Sequence, residues 1–159
     1  MVNSTKDNQL IKQALTYAKT IAMVGVSLIK KKETSTLIRR RPSIIVMKYL
    51  QEFGYRVIPV NPSSIGMKIY GETAVAKLED IAIPIDVVNV FRPSKETPIL
   101  AEQSVKIGAK VLWLQYGIQS QKAQEIVESA NITYIANKCI KQEYQRLFLK
   151  MSPVFPVLQ

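Results

Sequence analysis

Short apolar runs and longer amphipathic stretches alternate along most of this chain. The apolar runs are four to six residues long and rich in β-branched residues, which is typical of the buried strands of a parallel sheet. They occupy residues 21–26, 56–60, 86–91, 110–114 and 132–135. A glycine-containing stretch near Tyr70 is a candidate for one more strand, so we expect a sheet of five or six strands.

The stretches between these runs have helical spacing and carry the usual start and stop signals of helices. Pro42 opens one helix and Gly54 ends it, while Ser94 and Ser120 are candidate N-caps of two others. Helices are expected at residues 7–19, 42–53, 94–107, 120–130 and 141–150. Strands that alternate with helices need right-handed crossovers and a parallel sheet covered on both faces. We therefore predict an α/β protein with a three-layer, Rossmann-like fold and a mainly parallel sheet.

The length of the chain and the composition of its two ends indicate how many domains it contains. A chain of 159 residues fits one domain, which we expect to span residues 1–150. Residues 151–159 contain two prolines and no periodicity, so we expect an irregular tail there. No apolar run approaches the roughly 20 residues that span a bilayer, and the N-terminal residues are polar. The sequence therefore predicts a cytoplasmic protein without a membrane partner, and it leaves the oligomeric state open.

The composition narrows the chemistry of any site. The chain has no histidine and a single cysteine, Cys139. These counts exclude Ser-His and Cys-His nucleophile pairs, a phosphohistidine intermediate and a cysteine-rich zinc site. No pair of the remaining carboxylates, lysines and tyrosines has a spacing that indicates acid–base catalysis. We assign no catalytic residue and no metal ligand, so a binding protein is favoured over an enzyme.

The charge of the chain favours an anionic partner. The formal net charge is +10, and many of the basic residues lie between Lys30 and Arg41. Such a segment is compatible with a solvated loop, with a phosphorylated small molecule or with nucleic acid. Because aromatic residues do not interleave with these basic residues, nucleic-acid binding is the least favoured of these three interpretations.

The candidate site lies where the strands end. Ligands of open parallel sheets bind beyond the carboxyl ends of the strands, and small or hydrogen-bonding residues follow each predicted strand. Only Gly25 matches the glycine fingerprint of dinucleotide-binding folds, and Asn61 stands where an acidic residue would hold a ribose. The sequence therefore argues against an NAD site, and it contains no P-loop motif.

Several segments of this chain, in their order along the sequence, resemble those of the small coenzyme A-binding domain proteins. These proteins are similar to the nucleotide-binding domain of the succinyl-CoA synthetase α subunit. The matching segments are residues 21–27, 41–50, 54–62, 86–92, 108–117 and 139–144. Two stretches depart from the family pattern. Residues 28–40 are longer and more basic than the usual connection, and residues 137–138 are Asn-Lys where relatives often have Asp-Arg.

The resemblance implies that coenzyme A, or an acyl-CoA, is the ligand. It also implies a set of contact positions and their roles. They are Gly25, Val26 and Ser27 along the pyrophosphate or pantetheine path; Arg41, Pro42 and Ser43 at a helix N-terminus that meets phosphates; Asn61 and Pro62 beside the adenosine; Phe91 and Arg92 flanking the ligand; and Gln115 and Gly117 at the far wall.

Three functions remain open from the sequence. The first is a stand-alone coenzyme A-binding module without a catalytic step, because the phosphohistidine chemistry of the full synthetase has no histidine here. The second is an enzyme acting on a CoA thioester or a nucleotide. The third is nucleic-acid binding through the basic segment at residues 30–41.

Overall fold

Five parallel strands form the central sheet of this protein. The computed structural model describes residues 4–26 and 42–150. Its strands are β1 (Thr20–Val24), β2 (Arg56–Val60), β3 (Lys68–Ile69), β4 (Glu72–Thr73), β5 (Val87–Val90), β6 (Val111–Leu114) and β7 (Thr133–Ile135). The sheet has the order β2-β1-β5-β6-β7, and every neighbouring pair in it is parallel. The five predicted apolar runs are therefore parallel neighbours in one sheet, as expected.

Helices cover both faces of this sheet. They are α1 (Ser4–Tyr17), α2 (Pro42–Glu52), α3 (Thr97–Lys106), α4 (Gln121–Ser129) and α5 (Ile140–Tyr144), which continues as a π-helical turn at Gln145–Leu149. Side chains of α1, α2 and α5 belong to the core on one face, and those of α3 and α4 belong to the core on the other. The predicted α/β, three-layer, Rossmann-like architecture is confirmed. No helix in the two described ranges is both long and apolar enough to cross a membrane.

The sixth strand considered near Tyr70 does not join the sheet. Strands β3 and β4 pair with each other in a separate antiparallel hairpin. The two residues between them, Tyr70 and Gly71, have φ angles of 48° and 87°. Positive φ at both positions is the geometry of a tight hairpin turn. The local turn therefore sends the chain back on itself, and the alternative of six strands is wrong.

The strand order locates the binding crevice of the fold. The chain moves from β1 to β2 on one side and then returns to β5 on the other side of β1. This reversal makes the carboxyl ends of β1 and β5 the switch point of the sheet, where connections leave in opposite directions and a crevice opens. The segments directly after these two strands begin with Gly25 and Phe91.

Candidate functional site

A cleft of about 480 Å³ opens at the carboxyl ends of β1, β2 and β5, on the face covered by α3. This volume lies within the roughly 300–1,000 Å³ that small-molecule sites occupy. We call it the carboxyl-edge cleft. It is lined by Val24, Gly25, Val60, Asn61, Pro62, Ser63, Ala76, Lys77, Leu78, Arg92, Glu96, Leu100 and Gln103. Four residues predicted from the sequence, Gly25, Asn61, Pro62 and Arg92, meet in it.

Glycine is required at position 25 both by the positive φ angle of the backbone and by the close contacts around it. Its φ angle is +94°, and a Cβ at this position would lie 2.9 Å from Cδ of Arg92 and 3.0 Å from the backbone oxygen of Phe91. Its N–H donates to the carbonyl of Val60 over 2.8 Å. The end of β1 therefore touches the end of β5 and is hydrogen bonded to the end of β2. Only a residue without a side chain allows this approach.

Asn61 connects the loops that follow β1 and β2. Its Nδ2 donates to the backbone oxygen of Val26 over 2.8 Å. Its Oδ1 accepts from the N–H of Ser63 at 3.0 Å and from Oγ of Ser63 at 2.9 Å. Val26 itself is fully buried. Asn61 therefore shapes the floor of the cleft with its amide, and the adjacent Pro62 is exposed in the cleft.

Arg92 is held beside the cleft by Glu96. Nε and Nη2 of Arg92 donate to the two carboxylate oxygens of Glu96 over 2.9 and 2.8 Å. These hydrogen bonds raise the pKa of the Arg92 guanidinium and lower the pKa of the Glu96 carboxyl. The two side chains are 43% and 40% exposed, so solvent screens the pair and it adds little stability. The guanidinium therefore lies beside the cleft and stays partly exposed to solvent.

A second cation, Lys77, was not predicted from the sequence. Its side chain lines the cleft and is 58% exposed, and its Nζ lies 3.9 Å from Oε1 of Glu79. Lys77 precedes a 3₁₀ turn at Leu78–Asp80 in a region without helical or strand periodicity. Only the position of the neighbouring hairpin β3–β4 brings this region back to the end of β2. The sequence offers no signal for that placement.

Apolar side chains also line the cleft. Leu78 is fully buried and Leu100 is partly buried, and both belong to the core between the sheet and α3. Val24 and Val60 contribute the ends of β1 and β2. The cleft therefore combines a cationic rim with an apolar wall, which is a combination suited to a ligand with phosphate groups and an aromatic base.

Other predicted contact positions lie at the same edge but outside the cleft lining. Phe91 is half-buried and packs against the core on the α1, α2 and α5 face. Oε1 of Gln115 accepts from the N–H of Ile140 over 3.0 Å. The N–H of Gly117 donates to Oδ1 of Asn137 over 2.7 Å. In this structure both positions connect the end of β6 to the segment that leads into α5, and their role toward a ligand stays a prediction.

The remaining predicted positions are at or before the start of α2. Pro42 is exposed as the first residue of this helix, and Ser43 is buried behind it. Ser27, Arg41 and the rest of the basic segment lie outside the described residues. Cys139 is half-buried and packs against the core next to α5.

A larger cavity, of about 600 Å³, lies at the opposite, amino edge of the sheet. Its most buried charge lies at Asp86, whose Oδ2 accepts from the backbone N–H groups of Lys19 and Thr20 over 2.8 and 3.1 Å. Asp86 thereby joins the start of β5 to the start of β1. We favour the smaller carboxyl-edge cleft as the site, because ligands of this fold bind at the switch point. Within the described ranges, no three His, Cys, Asp or Glu residues cluster as metal ligands do.

Comparison with known sequences agrees with this geometry. The profile of the CoA binding domain family matches residues 19–145, which include every element from β1 to α5. The chain belongs to this family. The resemblance predicted from the sequence motifs is therefore confirmed, and the family suggests a role related to coenzyme A.

Relatives from other organisms share both sequence and fold. The protein YneT of Bacillus subtilis (strain 168) is 37% identical over 134 residues, which are 82% of this chain and 89% of YneT. A protein structure from Thermus thermophilus has a TM-score of 0.77 at 35% identity and covers 89% of this chain and 98% of that chain. A hypothetical protein from Pyrococcus horikoshii OT3 has a TM-score of 0.76 at 36% identity, with coverages of 88% and 91%.

The same fold also occurs inside a larger enzyme. The dinucleotide-forming acetyl-coenzyme A synthetase 1 of Ca. Korarchaeum cryptofilum matches with a TM-score of 0.57 at 19% identity. The match covers 75% of this chain but only 26% of that enzyme. At this identity the likeness concerns the fold alone.

Proposed function

We propose that this protein binds coenzyme A, or an acyl-CoA, in the carboxyl-edge cleft, with residues 1–150 acting as one binding domain and without a catalytic step of its own. One observation carries the proposal. In a chain of the CoA binding domain family, the cleft at the switch point brings together Gly25, Asn61 and Arg92, which the sequence motifs of that family single out.

The residues of the cleft fit such a ligand. Arg92 and Lys77 are the cations among the described residues that line it, and they would hold phosphate groups. Leu100 and the exposed Pro62 would contact the adenine, whose flat faces need apolar walls. Gly25 would keep Arg92 against the end of β1, beside the phosphate chain, because no Cβ separates them. When bound, coenzyme A supplies a thiol that carries acyl groups.

Calorimetric titration with coenzyme A, acetyl-CoA, NAD and ATP side by side tests the proposal. We expect coenzyme A to bind with micromolar affinity, which corresponds to roughly −8 kcal/mol, and added salt to weaken binding. Equal affinity for NAD or ATP, or no binding of coenzyme A, would contradict the proposal. Copurifying material that absorbs at 260 nm and disappears after nuclease treatment would favour nucleic acid as the partner.

The cations of the cleft supply a first prediction. Arg92→Gln and Lys77→Gln should each weaken binding of coenzyme A by about tenfold, because each removes a charge-assisted hydrogen bond to phosphate. Both substitutions should also reduce the dependence of affinity on salt. Lys12→Gln on α1 is the matched control, since Lys12 is exposed and does not line the cleft. If all three variants lose affinity equally, only the overall positive charge of the protein matters.

A further inference from the structure

Asn89 is a polar residue in the centre of the sheet with no polar partner. It lies on β5 and has no exposed surface, and within residues 4–26 and 42–150 neither its Nδ2 nor its Oδ1 has a hydrogen-bond partner. Buried amides are almost always hydrogen bonded, because they lose their hydrogen bonds to water on folding. An amide left unpaired in this position therefore calls for a physical explanation.

Asn89 lies close to the switch point, on the face of the sheet covered by α1, α2 and α5. Side chains alternate along β5, and Val87 belongs to the core on the α1, α2 and α5 face, so Asn89 points to that face as well. Its neighbours across the sheet are Met23 on β1 and Trp113 on β6, and both are fully buried. Asn89 precedes Phe91 by two residues on the same face, which places it about 7 Å below the carboxyl edge.

Two polar side chains on or just after β6 on this face are hydrogen bonded to the segment that leads into α5. The indole Nε1 of Trp113 donates to the backbone oxygen of Lys138 over 2.8 Å. Oε1 of Gln115, two residues further along β6, accepts from the N–H of Ile140. Met23 offers no strong hydrogen-bonding group. A buried water needs two to four polar partners, and these three side chains give it little beyond Asn89 itself.

We infer that Asn89 binds a secondary amide of the ligand arm, an inference that rests on the proposed function. The side-chain carboxamide of Asn89 has an N–H donor and a C=O acceptor in one plane. A secondary amide has one C=O acceptor and one N–H donor, so each amide can donate to the carbonyl oxygen of the other. Phosphate oxygens can only accept and so satisfy just half of Asn89. The pantetheine arm of coenzyme A contains two secondary amides, whereas its nucleotide end carries the phosphates.

The arm would reach Asn89 by crossing the carboxyl edge of the sheet. The nucleotide end occupies the carboxyl-edge cleft on the α3 side of Gly25, and the arm passes Gly25 to the opposite face of the sheet. Phe91 follows Asn89 on that face and is half-buried, and its ring would turn aside to admit the arm. Gly25 packs against Cδ of Arg92 and the backbone oxygen of Phe91, so the arm would cross above the ends of β1 and β5 and not between them.

Binding of two ligands to Asn89→Leu tests the inference. The ligands are coenzyme A and adenosine 3′,5′-bisphosphate, which retains the nucleotide end but has no arm. We expect Asn89→Leu to bind coenzyme A at least tenfold more weakly, because two hydrogen bonds are lost, and to bind the bisphosphate as the wild type does. Without ligand, the melting temperature of Asn89→Leu should rise, because an unpaired buried amide has been removed.

Val88→Ala is the matched control, because Val88 lies on the same strand but faces the opposite core. It should lower the melting temperature and leave the ratio of the two affinities unchanged. If the wild type binds coenzyme A and Asn89→Leu binds it equally well, this inference fails and the proposed function stands. If the wild type binds no coenzyme A, both fail.

A measurement on the wild-type protein covers the case in which Asn89→Leu does not fold. The side-chain amide resonance of Asn89 in ¹⁵N-labelled protein should shift on addition of coenzyme A and stay in place on addition of the bisphosphate. A resonance that responds equally to both ligands, or to neither, overturns the inference.

Discussion

At the scale of single residues, Gly25 decides whether the cleft can form. Gly25→Ala should lower the free energy of unfolding by more than the roughly 1–3 kcal/mol that a strained φ costs, because its Cβ would also meet a backbone oxygen at 3.0 Å. The substitution should abolish binding of coenzyme A. Gly54→Ala is the control, since Gly54 has a φ of +98° and nothing within 4 Å of its Cβ position. Equal losses in both variants, measured by denaturant unfolding, would show that the contact with Phe91 is unimportant.

Glu96 is a residue whose removal should improve binding. Its carboxylate lines the cleft and accepts from Nε and Nη2 of Arg92, so it repels phosphate and competes with it for these two donor groups. Glu96→Gln should tighten binding of coenzyme A by about threefold and change the free energy of unfolding by less than about 1 kcal/mol, because the ion pair is exposed. Glu102→Gln makes the same charge change at an exposed position of α3 outside the cleft lining. If Glu102→Gln tightens binding equally, the effect comes from net charge alone.

At the scale of secondary structure, α5 depends on the strand beside it. This helix has only five residues, too few to be stable without external contacts. Gln115, which is 4% exposed, accepts a hydrogen bond from the first N–H of α5, at Ile140. Cys139, at the N-cap position, makes no capping hydrogen bond with its side chain. The end of β6 therefore positions the start of α5.

Replacing Gln115 tests this connection. Gln115→Leu should lower the free energy of unfolding by about 1–3 kcal/mol, because the N–H of Ile140 stays buried and loses its acceptor. Chemical denaturation measures the loss, and Gln121→Leu at an exposed position of α4 is the control. A loss no larger than that of the control would mean that α5 is held by its apolar contacts alone.

At the scale of the whole molecule, one hydrogen bond joins α1 to the start of β2. The hydroxyl of Tyr55 donates to the backbone oxygen of Leu15, 40 positions earlier in the chain. Burial raises the pKa of Tyr55 to about 12, from the ordinary value of 10.0. The folded protein therefore keeps this proton at a pH where the unfolded chain releases it. The stability that Tyr55 contributes is complete below pH 10 and declines as the pH rises from there to about 12.

Tyr55→Phe isolates this contribution. The variant should be less stable by about 1 kcal/mol at neutral pH, since one buried hydrogen bond is lost. Its stability should then fall less steeply than that of the wild type between pH 10 and pH 12. The difference between the two unfolding curves is the quantity to measure, because it cancels the titration of the lysines. A constant difference across that range would contradict the raised pKa of Tyr55.

Much of the architecture was predictable because its signals are local. The run at residues 56–60 matches β2 residue for residue, since the four residues after the exposed Arg56 are apolar and buried, as in a buried parallel strand. Ser120 was predictable as an N-cap, and its Oγ accepts from the N–H of Ala123 over 3.1 Å. Each signal resides in a few consecutive side chains. The location of Gly25, Asn61 and Arg92 at the carboxyl edge was predictable because each follows a strand within two positions, and the carboxyl ends of parallel strands meet at one edge.

The sequence thus determined the alternation of strands and helices, the parallel sheet and the edge at which the cleft opens. Only the tertiary structure decided the features that depend on contacts between distant segments. Lys77 reaches the cleft because the hairpin β3–β4 folds back beside β2. Asn89 is one polar residue in an apolar run, and only the folded structure shows that its amide is buried without a hydrogen-bond partner among the described residues. Hydrogen bonds between distant segments are set by packing in three dimensions, and no local pattern of residues encodes them.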